Sequence, residues 1–163
     1  MVGNALFADG SAAVVGTPPD GRDDWTVAAT GSCLFADSEF AMSWHVGDHG
    51  FDMTLSTKVP ALIQANLRPW VEQWLGENGL SIPDVGSWAI HPGGPKILQS
   101  VEEALGIPAG VTDVSRRVLA GHGNMSSPTV LFILNELRRA DAPRPCVALG
   151  FGPGLVAEGA LFR

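Results

Sequence analysis

Three short stretches of the chain combine residue types that can do chemistry. In "WAIHPGGPKIL", Trp88 to Leu98, an apolar run leads into His91, a Pro-Gly-Gly corner follows, and a helical pattern begins. In "GHGNMSSP", Gly121 to Pro128, glycines flank His122 and Asn124 just ahead of a helical pattern, and "GFGPG", Gly150 to Gly154, separates two apolar runs. Strand-to-helix junctions are where α/β proteins tend to place ligands. A histidine and an asparagine can each donate one N–H toward the same thioester oxygen, which stabilises an enolate or a tetrahedral oxyanion without moving a proton. Taken singly, each stretch has a plainer explanation. His91 can simply hydrogen-bond a turn, Ser126 or Ser127 can cap the helix that follows, and "GFGPG" can be a tight hairpin turn. The cap is the better reading of its stretch alone; it is the three together that suit one reaction.

The elements that must position these residues alternate between strand-like and helix-like patterns, which predicts an α/β class. Ala12–Gly16, "AAVVG", reads as a buried strand stopped by Gly16, Pro18, Pro19 and Gly21, with Trp25–Ala29 as its neighbour across that turn. Asp37–Gly50 reads as a polar loop and Phe51–Leu55 as a further strand. Ile63, Leu67, Trp70, Val71, Trp74 and Leu75 recur at helical spacing until "GENG", and Pro69 inside that stripe predicts a kink or break. Ser87–Ile90 is a short strand. Pro95–Leu105 is a helix with Ile97, Leu98, Val101 and Leu105 on one face and Pro95 suited to its first turn. Val114–Leu119 is a mixed segment. Pro128–Arg139 is a helix closing on two arginines, and Cys146–Phe151 with Leu155–Leu161 reads as a β-hairpin.

Composition narrows the function classes. The 163 residues are 45% hydrophobic and 17% charged, enough for one core in one domain. A formal charge of −7, with no stretch of clustered Lys and Arg, argues against nucleic acid, and no apolar run approaches a membrane span. Cys33 and Cys146 give no metal-ligand spacing and no disulfide framework, and no signal-peptide pattern is seen, so a reducing cytoplasm is expected.

"WAIHPGGPKIL", "GHGNMSSPTVLFIL", "GFGPGLVAEGALF" and the opening "ALFADGSAAVVG" resemble, in order, spacing and wording, the C-terminal half of type III polyketide synthases, the chalcone and stilbene synthase family. The resemblance runs essentially end to end. It implies a thiolase-like half, a mixed five-stranded sheet covered by helices, which packs against an N-terminal half to form the site. Enzymes of the family load an acyl group from coenzyme A onto a cysteine, decarboxylate malonyl-CoA to an enolate, condense, extend and cyclise. By resemblance, His91 and Asn124 fall on the catalytic histidine and asparagine, Phe7 on a gatekeeping phenylalanine, and Ser126 on the pocket wall. Gly150, Phe151, Gly152, Pro153 and Gly154 match the loop that shapes the cyclisation cavity. His91 would then polarise the malonyl thioester and pair with the nucleophile's thiolate.

The departures matter as much. The cysteine nucleophile belongs to the N-terminal half, as do the basic residues for the coenzyme A phosphates. Neither Cys33 nor Cys146 replaces it by motif, and each reads as a small buried hydrophobe. Met53 stands where plant enzymes have a second gatekeeping phenylalanine, and Trp44, which would shrink the cavity, where they have a glycine. His122 stands at a usual tyrosine and receives no role.

Two functions follow from these observations. The chain is expected to be one domain of a polyketide synthase, binding acyl-CoA and malonyl-CoA as substrates without cofactor or metal, and lacking condensing activity by itself. The alternative is a non-catalytic acyl-CoA-binding or partner module, with residual decarboxylation lying between the two. An initiating β-ketoacyl carrier-protein synthase shares the histidine and asparagine pair, but the quoted stretches suit it less. The face meant for the N-terminal half, with Met42, Trp44 and Met53, should be apolar and drive dimerisation or self-association.

Overall fold

Ser87–Ile90 is buried at every position, which suits a strand covered on both faces. This strand fixes the architecture. A computed structural model describes residues 6–18 and 25–163. In chain order these form β1 (Val27–Leu34), β2 (Met42–Gly47), β3 (Gly50–Leu55), α1 (Val59–Glu77), β4 (Ser87–Ile90), α2 (Pro95–Leu105), α3 (Asp113–His122), α4 (Ser127–Arg139), β5 (Cys146–Gly152) and β6 (Val156–Phe162). Single 3-10 turns lie at Ile82–Asp84 and Ala109–Thr112.

The sheet runs β1-β6-β5-β4, with β4 parallel to β5 and the other two pairings antiparallel. The expected α/β class with a mixed sheet is therefore present. Alternation along the strands divides the core into two layers. Trp88, Ile90, Val147, Leu149, Ala157 and Leu161 face α1 and α2. Ala89, Cys146 and Ala148, smaller side chains, face Val118 of α3 and Met125, Ile133 and Leu137 of the α4 region. Each fully buried Leu or Ile contributes about 1.5–3 kcal/mol.

Helix α1 buries Val59, Ile63, Leu67, Val71, Trp74 and Leu75, the stripe that the spacing predicts. It ends at Asn78, whose side chain donates to the Trp74 carbonyl, and at Gly79 with φ +73°. The expected break at Pro69 does not occur: the helix is continuous through it. Pro69 sits on the solvent side, so its missing N–H weakens one exposed turn while the buried stripe holds the rest. Trp74 also explains a glycine pair, since Gly31 of β1 lies opposite Gly159 of β6. A Cβ on Gly31 would come 2.7 Å from Trp74 Nε1, and one on Gly159 would come 3.2 Å from the same ring.

Four expectations need correction. The main sheet has four strands among the described residues, not five, and Ala12–Gly16 joins no ladder and lies exposed without regular secondary structure. Pro19 and Gly21 of its expected turn lie outside the described residues. The strand expected over Trp25–Ala29 runs later and longer, as β1. Asp37–Gly50 is not all loop, because β2 lies within it and pairs with β3 as a separate hairpin. Met42, Trp44 and Val46 alternate with Ser43 and His45, a period-two pattern that the polar residues around it mask. Finally, Val114–Leu119 belongs to a helix, α3, which buries Ser115 and Val118.

Candidate active site

The C-terminal ends of β4 and β5 point the same way because the two strands are parallel. His91 follows β4 directly, and its N–H donates to the Leu149 carbonyl at 2.8 Å, so the ladder extends one residue beyond the strand. Helix α4 leads back into β5 and packs against β4, so its N-terminal end, carrying Asn124, Met125 and Ser126, lies at this same edge. Gly150, Phe151 and Gly152 end β5 there. His91, Asn124 and the glycine loop, separate in sequence, thus share one edge of the sheet. The pleat that sends Ala89 toward α4 also sends His91 to that side.

His91 is half-buried, and that burial lowers its pKa from the usual 6.5 to about 4. The cause is desolvation, which penalises the imidazolium. The ring is therefore neutral at neutral pH and can donate one N–H while accepting at its other nitrogen. Next to it across the ladder is Gly150, where an added Cβ would meet nothing within 4 Å. Open space thus adjoins the strand end beside His91.

Asn124 is 4% exposed, and its carboxamide oxygen accepts the Ser126 N–H at 2.9 Å. This bond fixes which end of the amide is the acceptor, so the NH2 is the end suited to donate to a ligand. Ser126 holds φ at +61°, an uncommon conformation for a residue with a side chain. The expected serine cap is absent, since neither Ser126 nor Ser127 makes a side-chain cap bond. Thr129 Oγ1 instead accepts the Met125 N–H at 2.8 Å.

Sequence reasoning missed two devices that hold this edge. The first is Leu6–Ala8. The Asn124 N–H donates to the Leu6 carbonyl at 2.7 Å, the Ala8 N–H donates to the Asn124 carbonyl at 2.9 Å, and Leu6 approaches Gly94 of the His91 corner. Gly123 has φ +73°, and a Cβ there would come 2.8 Å from the Ala8 side chain. Glycine is required on both counts. Phe7 lies in this segment, 39% exposed. The second device is a buried carboxylate. Glu102 of α2 accepts from Arg116 Nη2 of α3 at 2.8 and 2.7 Å, and also from the Thr112 hydroxyl. It ties the helix after His91 to the helix before Asn124. A lone Glu at a helical a/d-like position was the only sequence signal for it.

The remaining candidates lie apart from these two. Trp44 and Met53 face each other across the β2–β3 hairpin, with Trp44 48% exposed. The hairpin reaches the glycine loop through the Gly154 N–H, which donates to the Met42 carbonyl at 2.7 Å, and Ser38 Oγ donates to the Gly154 carbonyl. Gly152 belongs to β5, Gly154 turns with φ +80°, and Pro153 is exposed between them. His122 packs edge-on to Phe132, centroids 5.2 Å apart. Cys146 is buried, and burial pushes its thiol up to about 11, so it stays protonated; Cys33 is half-buried and is also shifted upward. A surface hollow of about 470 Å³ between α1 and α2, lined by Gln64, Arg68 and Glu103, takes in neither His91 nor Asn124. Among the described residues no three His, Cys, Asp or Glu side chains are placed to hold a metal ion, and no helix is long and apolar enough to cross a membrane.

A mixed sheet between two helical layers, with a histidine corner, an asparagine turn and a glycine loop at one edge, defines a thiolase-like half. Residues 27–163 match the family described as chalcone and stilbene synthases, C-terminal domain. The chain is 41% identical to the 1,3,6,8-tetrahydroxynaphthalene synthase of Streptomyces peucetius subsp. caesius, over all of this chain and 45% of that protein. It superposes on the crystal structure of PKS-I from the brown alga Ectocarpus siliculosus with a TM-score of 0.87 and 28% identity, covering 98% of this chain and 46% of that one. The chain belongs to the chalcone and stilbene synthase family, as a type III polyketide synthase C-terminal domain. It spans less than half the length of these relatives.

Proposed function

We propose that this domain supplies the oxyanion-stabilising half of a type III polyketide synthase site. In the whole enzyme, the malonyl thioester oxygen sits between the His91 N–H and the Asn124 NH2. The bond from the malonyl α-carbon to its carboxylate breaks, carbon dioxide leaves, and the electron pair moves into an enolate whose oxygen the two donors hold. The enolate carbon then attacks the acyl group on a cysteine of the N-terminal half and releases its thiolate. No proton passes through His91 or Asn124, so a neutral His91 suits the part. Phe7, Trp44, Met53, Ser126 and Gly150–Gly154 form the pocket wall for the growing chain. Likeness to the Streptomyces enzyme favours a hydroxylated aromatic as product. The substrates are coenzyme A thioesters, and the chemistry calls for no further cofactor.

The observation that carries this reading is the shared sheet edge, together with the Asn124 oxygen already committed to Ser126. By itself the chain holds no cysteine fit to be a nucleophile and is expected not to condense. The apolar hairpin face favours pairing with the N-terminal half or self-association, and two unpaired thiols favour a reducing cytoplasm. The test is malonyl-CoA mixed with the chain, followed by assay for acetyl-CoA and carbon dioxide. Turnover that persists unchanged in His91→Ala and Asn124→Ala would remove both residues from the site.

A further inference from the structure

Helices α2 and α3 lie on opposite faces of the sheet. Leu98, Val101 and Leu105 of α2 share a core layer with Trp88 and Ile90, whereas Val118 of α3 shares the other layer with Ala89. Between them runs β4, whose one strand neighbour in the main sheet is β5. The turn Ala109–Thr112 packs along β4 as the chain passes from one face to the other. The two helices therefore straddle β4 like the arms of a clasp. At the open ends, Pro95 of α2 follows His91 by four residues, and His122 of α3 precedes Asn124 by two.

The closed end is fastened by one residue. Glu102 is 7% exposed. Its backbone carbonyl accepts the Gly106 and Ile107 N–H groups just past α2, at 2.9 and 3.1 Å. Its carboxylate accepts from Arg116 Nη2 at both oxygens, 2.8 and 2.7 Å away, and from the Thr112 hydroxyl. Thr112 stands at the cap of α3 but makes no side-chain cap bond. A threonine there ordinarily does, so its hydroxyl has given up a local bond for one across the clasp. The carboxylate also lies at the positive end of α3, which favours its charge.

We propose that Glu102 is a positioning residue for the decarboxylation: by fastening α2 to α3, it sets the separation of the His91 and Asn124 donors. This rests on the reading of those two side chains as the oxyanion pair, and deepens it by naming what holds them in register. A buried ion pair often adds little stability over an apolar replacement of the same shape, which leaves the fixing of one arrangement as the purpose of this one. The ten residues of α3 span about 15 Å. A tilt of about 4° at Thr112 therefore moves the Asn124 end by about 1 Å, and a misplacement of that size costs on the order of 100-fold in rate.

The assay is malonyl-CoA decarboxylation by the chain co-expressed with the N-terminal half of its Streptomyces relative, with kcat and KM measured separately and each variant shown to be folded by its urea curve. Glu102→Gln keeps the shape and removes the charge. It should lower kcat by about tenfold or more and leave KM within about twofold, since the donors are present but misaligned. Arg116→Met should match it. Arg116→Lys should recover kcat to within about threefold of wild type, because a single nitrogen makes both bonds to Glu102. In a His91→Ala background, Glu102→Gln should cost less than about twofold, since no pair is left to align; a residue that only holds the fold would cost the same in both backgrounds. In the 163-residue chain alone, Glu102→Gln should shift the side-chain NH2 signals of Asn124 by NMR and leave the Trp74 indole signal of α1 in place. Unmoved Asn124 signals, a raised KM with kcat kept, or an equal loss in both backgrounds overturns the proposal while leaving the oxyanion pair intact. Unchanged turnover in His91→Ala overturns the pair and the proposal with it. If the co-expressed halves do not turn over, the Asn124 signals alone decide.

Discussion

Acid should unfold this domain through His91 before carboxylate protonation dominates. Above pH 6.5 the ring is neutral in both folded and unfolded chains and contributes nothing to pH dependence. Between 6.5 and about 4 the unfolded chain takes up a proton that the folded one refuses, so stability falls as pH falls, and below about 4 the loss is complete. The full difference is on the order of 3 kcal/mol, and about 2 kcal/mol of it is already lost at pH 5. That is a large share of a typical domain's 5–15 kcal/mol. Urea unfolding at pH 7.5, 6 and 5 of the wild-type chain and His91→Gln isolates the effect, because the other three histidines are common to both. The wild-type chain should lose about 2 kcal/mol more than the variant between pH 7.5 and 5. Parallel losses, or an NMR titration of the His91 ring near 6.5, would show that the imidazole is not desolvated and would remove the argument for a neutral donor.

Other perturbations separate the site from its supports. Gly150→Ala should change stability by less than about 1 kcal/mol, since the position is open, yet abolish malonyl-CoA turnover when the chain is co-expressed with the N-terminal half of its Streptomyces relative, by filling the space beside His91; full turnover would contradict the pocket. Gly123→Ala, at φ +73° and against Ala8, should instead destabilise by roughly 1–3 kcal/mol in urea. Arg116→Ala leaves the Glu102 carboxylate buried and short of a partner, and should lower stability by roughly 2–4 kcal/mol, whereas a loss below 1 kcal/mol would mean the pair does not clamp α2 to α3. Trp44→Glu on the exposed hairpin face should convert a self-associating chain to monomer by sedimentation. A wild-type chain that is monomeric at high concentration and binds no hydrophobic dye would rule out that interface.

The long periodic elements were legible in the sequence because their core faces are simple: α1, α2, α4, β4, β5 and β6 all fall where their patterns put them. What misled was context. "AAVV" has a strand's sequence but no strand to pair with among the described residues, and β-structure is made by partners rather than by propensity. The β2 strand hid because His45 and Asp48 broke the apparent apolar run, although its alternate residues kept one apolar face. At the candidate site, residue type and order single out His91, Asn124 and the glycine loop, and the structure brings these segments to one edge of the sheet. The features that aim them were not legible. The Leu6–Ala8 bridge and the Glu102–Arg116 tie are long-range contacts, and the Ser126 N–H on Asn124 Oδ1 is a local Asx turn that competes with the serine cap for the same stretch.

The central claim is that His91 and Asn124 donate to one thioester oxygen. It is tested most directly by malonyl-CoA decarboxylation in the chain co-expressed with the N-terminal half of its Streptomyces relative, comparing wild type, His91→Ala, Asn124→Ala and the double variant. Donors to one oxyanion act as a unit, so each single change should cost on the order of 100-fold or more and the double change much less than the product of the two. Near-wild-type decarboxylation in either single variant, or losses that simply multiply, would contradict it.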